Sequence, residues 1–189
     1  MLPASRSKSP GVATTTSDKL GPMAKLPAPP FSFLLRHPAH LIACGFGSGL
    51  SPFAPGTAGT LIAWLTYSFM RDWFPDDATF AVILLLCFTI GVTACQITGR
   101  NLGVVDHGSI VWDEIVPFWA VLFLTPEGWT WQLSAFFWFR IYDITKPAPA
   151  DYFDSQMKNG LGVMMDDMIA AAYTVLTLAV FKALIERLF

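Results

Sequence analysis

At 189 residues, 53% hydrophobic and 14% charged, with a mean hydropathy of +0.50, the chain carries far less charge than the roughly 25% of an ordinary soluble domain. The net charge of -2 hides an asymmetry: residues 1–40 hold Arg6, Lys8, Lys19, Lys25 and Arg36 against Asp18, leaving seven of the twelve basic and thirteen of the fourteen acidic side chains to the remainder. The balance excludes a nucleic-acid surface and points to a one-domain membrane protein with cation-binding acids. Residues 1–40, with Pro27, Pro29 and Pro30 close together and no apolar period, read as a disordered basic extension. No signal-peptide run follows the early basic residues, Met1 and Met23 are both possible starts, and the basic excess places this tail in the cytoplasm. The three cysteines, Cys44, Cys87 and Cys95, lack metal-ligand spacing and suit buried thiols in a reducing compartment.

From residue 41 the chain reads as all-α: a compact membrane-embedded helical bundle of short spanning or re-entrant segments. Gly45 to Gly59 is a glycine- and proline-rich loop feeding a helix. There Gly56 and Thr57 either cradle a phosphate at the helix N-terminus or form a tight turn capped by Thr57. Thr79 to Ile97 is long enough for a span, whereas 58–70, 115–124, 129–142 and 168–181 are shorter. With each taken as a crossing from a cytoplasmic N-terminus, the Gly-rich loop and both acid-bearing loops, 99–113 and 143–167, face the cytoplasm. Asp76, Asp77 and the turn Pro126-Glu127-Gly128 fall outside, and Trp73, Trp112, Trp129 and Trp131 suit an aromatic belt.

The chemistry concentrates in Asp106-His-Gly-Ser-Ile-Val-Trp-Asp-Glu114, three carboxylates and a histidine between apolar segments. Charge beside a membrane segment needs water, a partner or a cation. Asp113 and Glu114 are adjacent and splay ~100° apart on a helix, and Pro117 kinks or restarts that helix. Asp166 and Asp167 repeat the pair. Either pair alone also complements a helix dipole. Together, with Asp106, Asp143, Asp151 and Asp154 on the same predicted face, they favour hard cations such as Mg²⁺ or Mn²⁺. His107 reads as a loop histidine, a ligand or a general acid. Arg140, Asp143 and Lys146 recur every third residue, as a salt-bridged face or as cations for a phosphate; Lys158 reads first as solvated. A covalent route lacks its motifs: Cys95 to Arg100 is one residue short of a cysteine-phosphatase loop, and no Asp-x-Asp precedes Thr or Val. A cation or proton pathway through the same acids is the alternative in a different class.

The blocks Gly45 to Gly59, Asp106 to Glu114, Phe139 to Pro149 with Asp154, and Gly160 to Met168 resemble, in order, those of the bacterial phosphatidylglycerophosphatase A family, over about residues 41 to 185. The resemblance implies a domain over 41–189, multi-pass in the inner membrane, with its active site facing the cytoplasm. It implies Mg²⁺-dependent hydrolysis of phosphatidylglycerophosphate to phosphatidylglycerol within membrane lipid. The family motif falls on Asp106, His107, Asp113, Glu114, Arg140, Asp143, Lys146, Asp154, Asp166 and Asp167. With the chemistry above, this gives Asp113, Glu114, Asp166 and Asp167 as metal ligands. Arg140, Lys146, Gly56 and Thr57 hold phosphate, and Glu114, Asp143, His107 or Asp106 act as acid or base toward a water nucleophile. One departure is Asn159, where some relatives carry glycine.

Overall fold

The computed structural model describes residues 26–188, which form eight α-helices and one 3-10 segment. In order these are α1 (Phe31–Leu34), α2 (Pro38–Ala43), the 3-10 segment (Gly45–Leu50), α3 (Pro55–Trp73), α4 (Asp77–Leu102), α5 (Trp112–Leu124), α6 (Trp129–Thr145), α7 (Ala150–Gln156) and α8 (Gly160–Leu188). The basic tail read from the sequence lies outside the described residues up to position 25. Residues 31–43, the first ten of which were read with that tail, instead pack into the body, with Leu34 and His40 buried.

At 1.5 Å per residue, α4 and α8 are about 39 and 43 Å long, beyond the ~30 Å hydrocarbon core of a bilayer. Their most apolar 18-residue windows have mean hydropathies of 2.3 and 2.0 while only 22% of each is buried within the protein, so their outward faces call for a non-aqueous surround. Leu85, Leu86, Leu176 and Val180 are among the exposed apolar side chains. The last apolar segment, short in the sequence reading, becomes the longest helix because Asp166 and Asp167 lie buried inside it rather than ending it. It starts at Gly160, directly after Asn159, whose Oδ1 accepts from the Gly162 N–H at 2.9 Å. The departure from the family pattern is thus a helix cap.

The short α5 is the core of the bundle. It packs against α3, α4, α6 and α8, and Ile115, Val116, Phe118, Val121 and Leu122 are all buried. Pro117 neither breaks nor restarts it. In the second turn a proline forfeits the bond to the residue four back, here the one to the Asp113 carbonyl. Trp112, read as a membrane-belt residue, is in the core, its Nε1–H donating to the Cys87 carbonyl at 3.1 Å; Trp73 and Trp129 are exposed as that reading requires.

The long helices alternate in direction. The α3–α4 and α5–α6 connections meet around one cavity lined by Arg71, Asp77, Phe123 and Glu127. The C-terminal ends of α4 and α6 and the N-terminal ends of α5 and α8 gather at the other end, with the acids.

Candidate active site

The start of α5 is fixed from outside the helix. Val111, its N-cap, donates its N–H to the Ala43 carbonyl of α2 at 2.9 Å. From there the adjacent acids diverge. Glu114 turns toward α3 and α6, where its Oε1 accepts from Arg140 Nη1 at 3.1 Å. Asp113 is 6% exposed, and its Oδ1 has no hydrogen-bond partner among the described residues.

The α3 helix reaches Glu114 through a glycine face. A Cβ on Gly56 would collide with the Glu114 carboxylate, and one on Gly59 would come within 3.0 Å of its Oε2. The helix starts at Pro55, after Ala54 in a left-handed conformation (φ 44°), so the cap position is not Thr57. Thr57 lies in the first turn, and its side chain makes no hydrogen bond among the described residues. Thr60, one turn on, accepts from Arg140 Nη1 at 3.4 Å. Sequence reading missed Thr60; its only trace was the four-residue spacing from Gly56.

Carboxylate oxygens of Glu114, Asp143 and Asp167 lie within 4.8 Å of one another, bringing together α5, α6 and α8. Arg140 bridges two of them, its Nη1 lying 2.5 Å from Asp143 Oδ2. Among the described residues, Glu114 Oε2, an acceptor, and Arg140 Nε, a donor, are buried here without protein partners. Buried polar atoms without partners are rare. An acceptor and a donor unpaired in one place fit a cation and an anion bound side by side.

Asp166 does not join that group. Lys146 takes it instead, donating to Asp166 Oδ2 at 2.5 Å and to Asp154 Oδ1 at 2.8 Å. Lys146 leaves the helical face shared by Arg140 and Asp143 because it is the C-cap of α6, at φ 42°. Burial alone would lower its pKa, but Asp166 and Asp154 outweigh that and hold it above the usual lysine value. Lys158 donates to the Asp154 carbonyl at 2.6 Å, and the exposed Asp151 accepts from the neighbouring Tyr152 N–H.

Asp106 and His107 sit on the α4–α5 loop, Asp106 exposed and His107 buried. His107 Nδ1 accepts from the Ser109 N–H at 3.1 Å, which leaves Nε2 to carry the proton of the neutral ring. Burial lowers its pKa, against the opposing pull of Asp106. Cys44 is buried, which pushes its thiol to about 11, and Cys95 is enclosed by the core, so neither presents a thiolate.

A buried acid group with paired cations, at one end of an apolar helical bundle, defines a membrane-associated helical protein with a charged site. A family model described as Phosphatidylglycerophosphatase A matches residues 41–182. The Phosphatidylglycerophosphatase A of Haemophilus influenzae is 46% identical over 147 residues, covering 75% of this chain and 87% of the relative. That of Escherichia coli is 42% identical over 137 residues, 72% and 78% of the two chains. A Putative phosphatidylinositol-3-phosphatase of Bacteroides thetaiotaomicron is 38% identical over 148 residues, 75% and 92%. No solved structure matches the chain. The chain belongs to the phosphatidylglycerophosphatase A family. It is therefore a lipid phosphatase, and the cation-pathway alternative gives way to an enzyme.

Proposed function

We propose that the chain hydrolyses the terminal phosphomonoester of phosphatidylglycerophosphate, giving phosphatidylglycerol and inorganic phosphate, with Mg²⁺ as cofactor. The observation that carries the reading is the unpaired Glu114 Oε2 beside the unpaired Arg140 Nε. The donor set is all oxygen and anionic, as a hard divalent ion prefers. Glu114, Asp143 and Asp167 would hold it. Bound there, Mg²⁺ would polarise a phosphoryl oxygen and lower the pKa of a water.

The remaining work falls to the chain. Arg140 keeps Nε for a phosphate oxygen while its Nη1 fixes Glu114 and Asp143. The N–H groups of Gly56 and Thr57 in the first turn of α3 donate to no protein acceptor among the described residues and add a positive end. Water attacks phosphorus, a carboxylate of the group takes its proton, and the P–O bond to the glycerol breaks as the leaving oxygen is protonated. Asp106 or His107, on the α4–α5 loop, would supply that proton. Asp113 keeps an unpaired oxygen as a further acceptor.

The bundle lies across the inner membrane with its acidic end toward the cytoplasm. Support comes from the two long apolar helices and from the gathering of the α4–α5 loop and the α6–α8 connection, with their acids, at one end. The test is phosphate release by the purified chain in detergent. Release from phosphatidylglycerophosphate should require Mg²⁺, stop with EDTA, and fall about 100-fold or more in Glu114→Gln, beyond the 10–100-fold typical of an outer-shell partner. Equal or faster release from phosphatidylinositol 3-phosphate, the substrate in the name of the Bacteroides relative, would reassign the substrate. Undiminished release in EDTA would remove the metal.

A further inference from the structure

The acids at this end of the bundle fall into two sets. Glu114, Asp143 and Asp167 form the one group of three acidic, histidine or cysteine side chains, among the described residues, whose ligand atoms are close enough to share an ion. Within it Glu114, only 9% exposed, keeps Oε2 unpaired. The second set, Asp154 and Asp166, already has an ammonium between its two carboxylates. We infer that Lys146 is a built-in second cation: it stands between Asp154 and Asp166 where a second divalent ion would stand, so the centre takes one divalent ion per chain. This rests on the metal-assisted phosphatase reading above and removes Asp166 from the ligand set expected from the sequence.

Three features make Lys146 a fixed part of the site. Its backbone is left-handed, at φ 42° and ψ 60°, a conformation that disfavours any residue with a Cβ. Left-handed caps usually fall to glycine; here the position is given to a long cationic side chain that reaches α7 and α8. Two charge-assisted hydrogen bonds, at 2.8 and 2.5 Å, hold the ammonium there, and the Lys146 N–H donates to the Tyr142 carbonyl at 2.8 Å. An ammonium has three donors, and two are spent on carboxylates. The third remains for a phosphoryl oxygen, so Lys146 combines the two tasks of a second metal ion, bridging carboxylates and drawing phosphate charge. A divalent ion entering between Asp154 and Asp166 would first have to expel it against like-charge repulsion.

The experiment is a Mn²⁺ titration of the full chain in detergent, with free Mn²⁺ followed by electron paramagnetic resonance. Wild type should bind one Mn²⁺ per chain, and Asp167→Asn should weaken it at least about tenfold. Asp166→Asn should retain one ion with a Kd within about threefold, since Asp166 is held by Lys146. Lys146→Arg should keep the count at one, whereas Lys146→Met, freeing two carboxylates, should add a second, weaker ion. Two ions in wild type, or loss of the ion in Asp166→Asn, would overturn the inference while leaving the metal-dependent phosphatase intact. No bound ion in a wild-type sample that hydrolyses lipid phosphate in EDTA would overturn both. Should Lys146→Met fail to fold, the Asp166→Asn and wild-type counts decide the question.

Discussion

Neighbouring carboxylates acquire different surroundings because a helix turns ~100° between them, and Asp113 and Glu114 show how far this separates them. Glu114 faces Gly56, Gly59 and Arg140, and its position depends on the missing side chain at Gly56. Gly56→Ala is expected to push the carboxylate off its place while leaving α3 helical, since alanine is the better helix former. The Mg²⁺ concentration for half-maximal activity should rise about tenfold or more, with melting temperature nearly unchanged; a variant with wild-type Mg²⁺ dependence would show that Glu114 is not placed by this contact. Arg140→Lys makes a complementary case. Lysine keeps the charge but loses the planar fork that reaches Glu114 and Asp143 while leaving Nε for an anion. KM should rise about tenfold or more, on the scale of a lost charge-assisted hydrogen bond, and steady-state kinetics would read it. The paired acids were visible in the sequence as candidates because charge in apolar surroundings needs compensation. Their division was not: whether Asp166 or Asp143 joins Glu114 depends on Lys146 leaving the α6 helix at a left-handed cap, and Pro147 announces only that the helix ends there, not the left-handed turn.

Elements hold the site through contacts distant from the acids. Gly160, at the start of α8, lies so close to α4 that an added Cβ would collide with the Val92 carbonyl and come within 2.8 Å of the Gln96 backbone nitrogen. Backbone cannot yield as a flexible side chain does. Gly160→Ala should therefore destabilise the α4–α8 contact by about 1–3 kcal/mol, the range for overpacking, visible as a lower melting temperature in detergent. On the other side, α2 is joined to α4 by His40, which stacks on Phe33 at 4.1 Å and contacts Thr98 and Asn101 at 3.0 and 3.1 Å through its two ring nitrogens. Burial lowers the His40 pKa below 6.5, and His37 and Arg36 push the same way. The unfolded chain then takes up a proton before the folded one, so stability is complete above pH 6.5 and falls as pH drops from there toward the folded-state value. His107 contributes with the same sign. Melting temperature should fall between pH 7.5 and pH 5.5, and fall less in His40→Asn; an equal fall in both would place the effect elsewhere. Periodicity and apolar runs made the helices legible, yet α8 read short because two acids interrupt its hydropathy. Hydropathy averages over faces, whereas Asp166 and Asp167 occupy the one face that the site lines.

The whole molecule divides its charge by end, and that division is testable without any assay of chemistry. Gly108, on the loop that carries Asp106 and His107, is exposed, with open space where a Cβ would stand. Glu127 is exposed on the α5–α6 connection at the opposite end, beside the cavity lined by Arg71 and Asp77. Helices α4 and α8 separate the ends by more than the thickness of a hydrocarbon core, so the two positions must face different compartments if both helices cross. The charge-bias argument that set the orientation rests on residues 1–25, outside the described structure, and on Arg36; the fold itself fixes only that the two ends are opposite. In a background where Cys44, Cys87 and Cys95 are replaced by alanine or serine, Glu127→Cys should react with a membrane-impermeant maleimide added to intact spheroplasts. Gly108→Cys should react only after permeabilisation. The reverse pattern would invert the enzyme and put hydrolysis on the outer face. Reaction of both in intact cells would mean that α4 and α8 do not seal the ends from one another, and the acidic end would then be reached by water from both sides, as a pathway rather than a one-sided phosphatase requires.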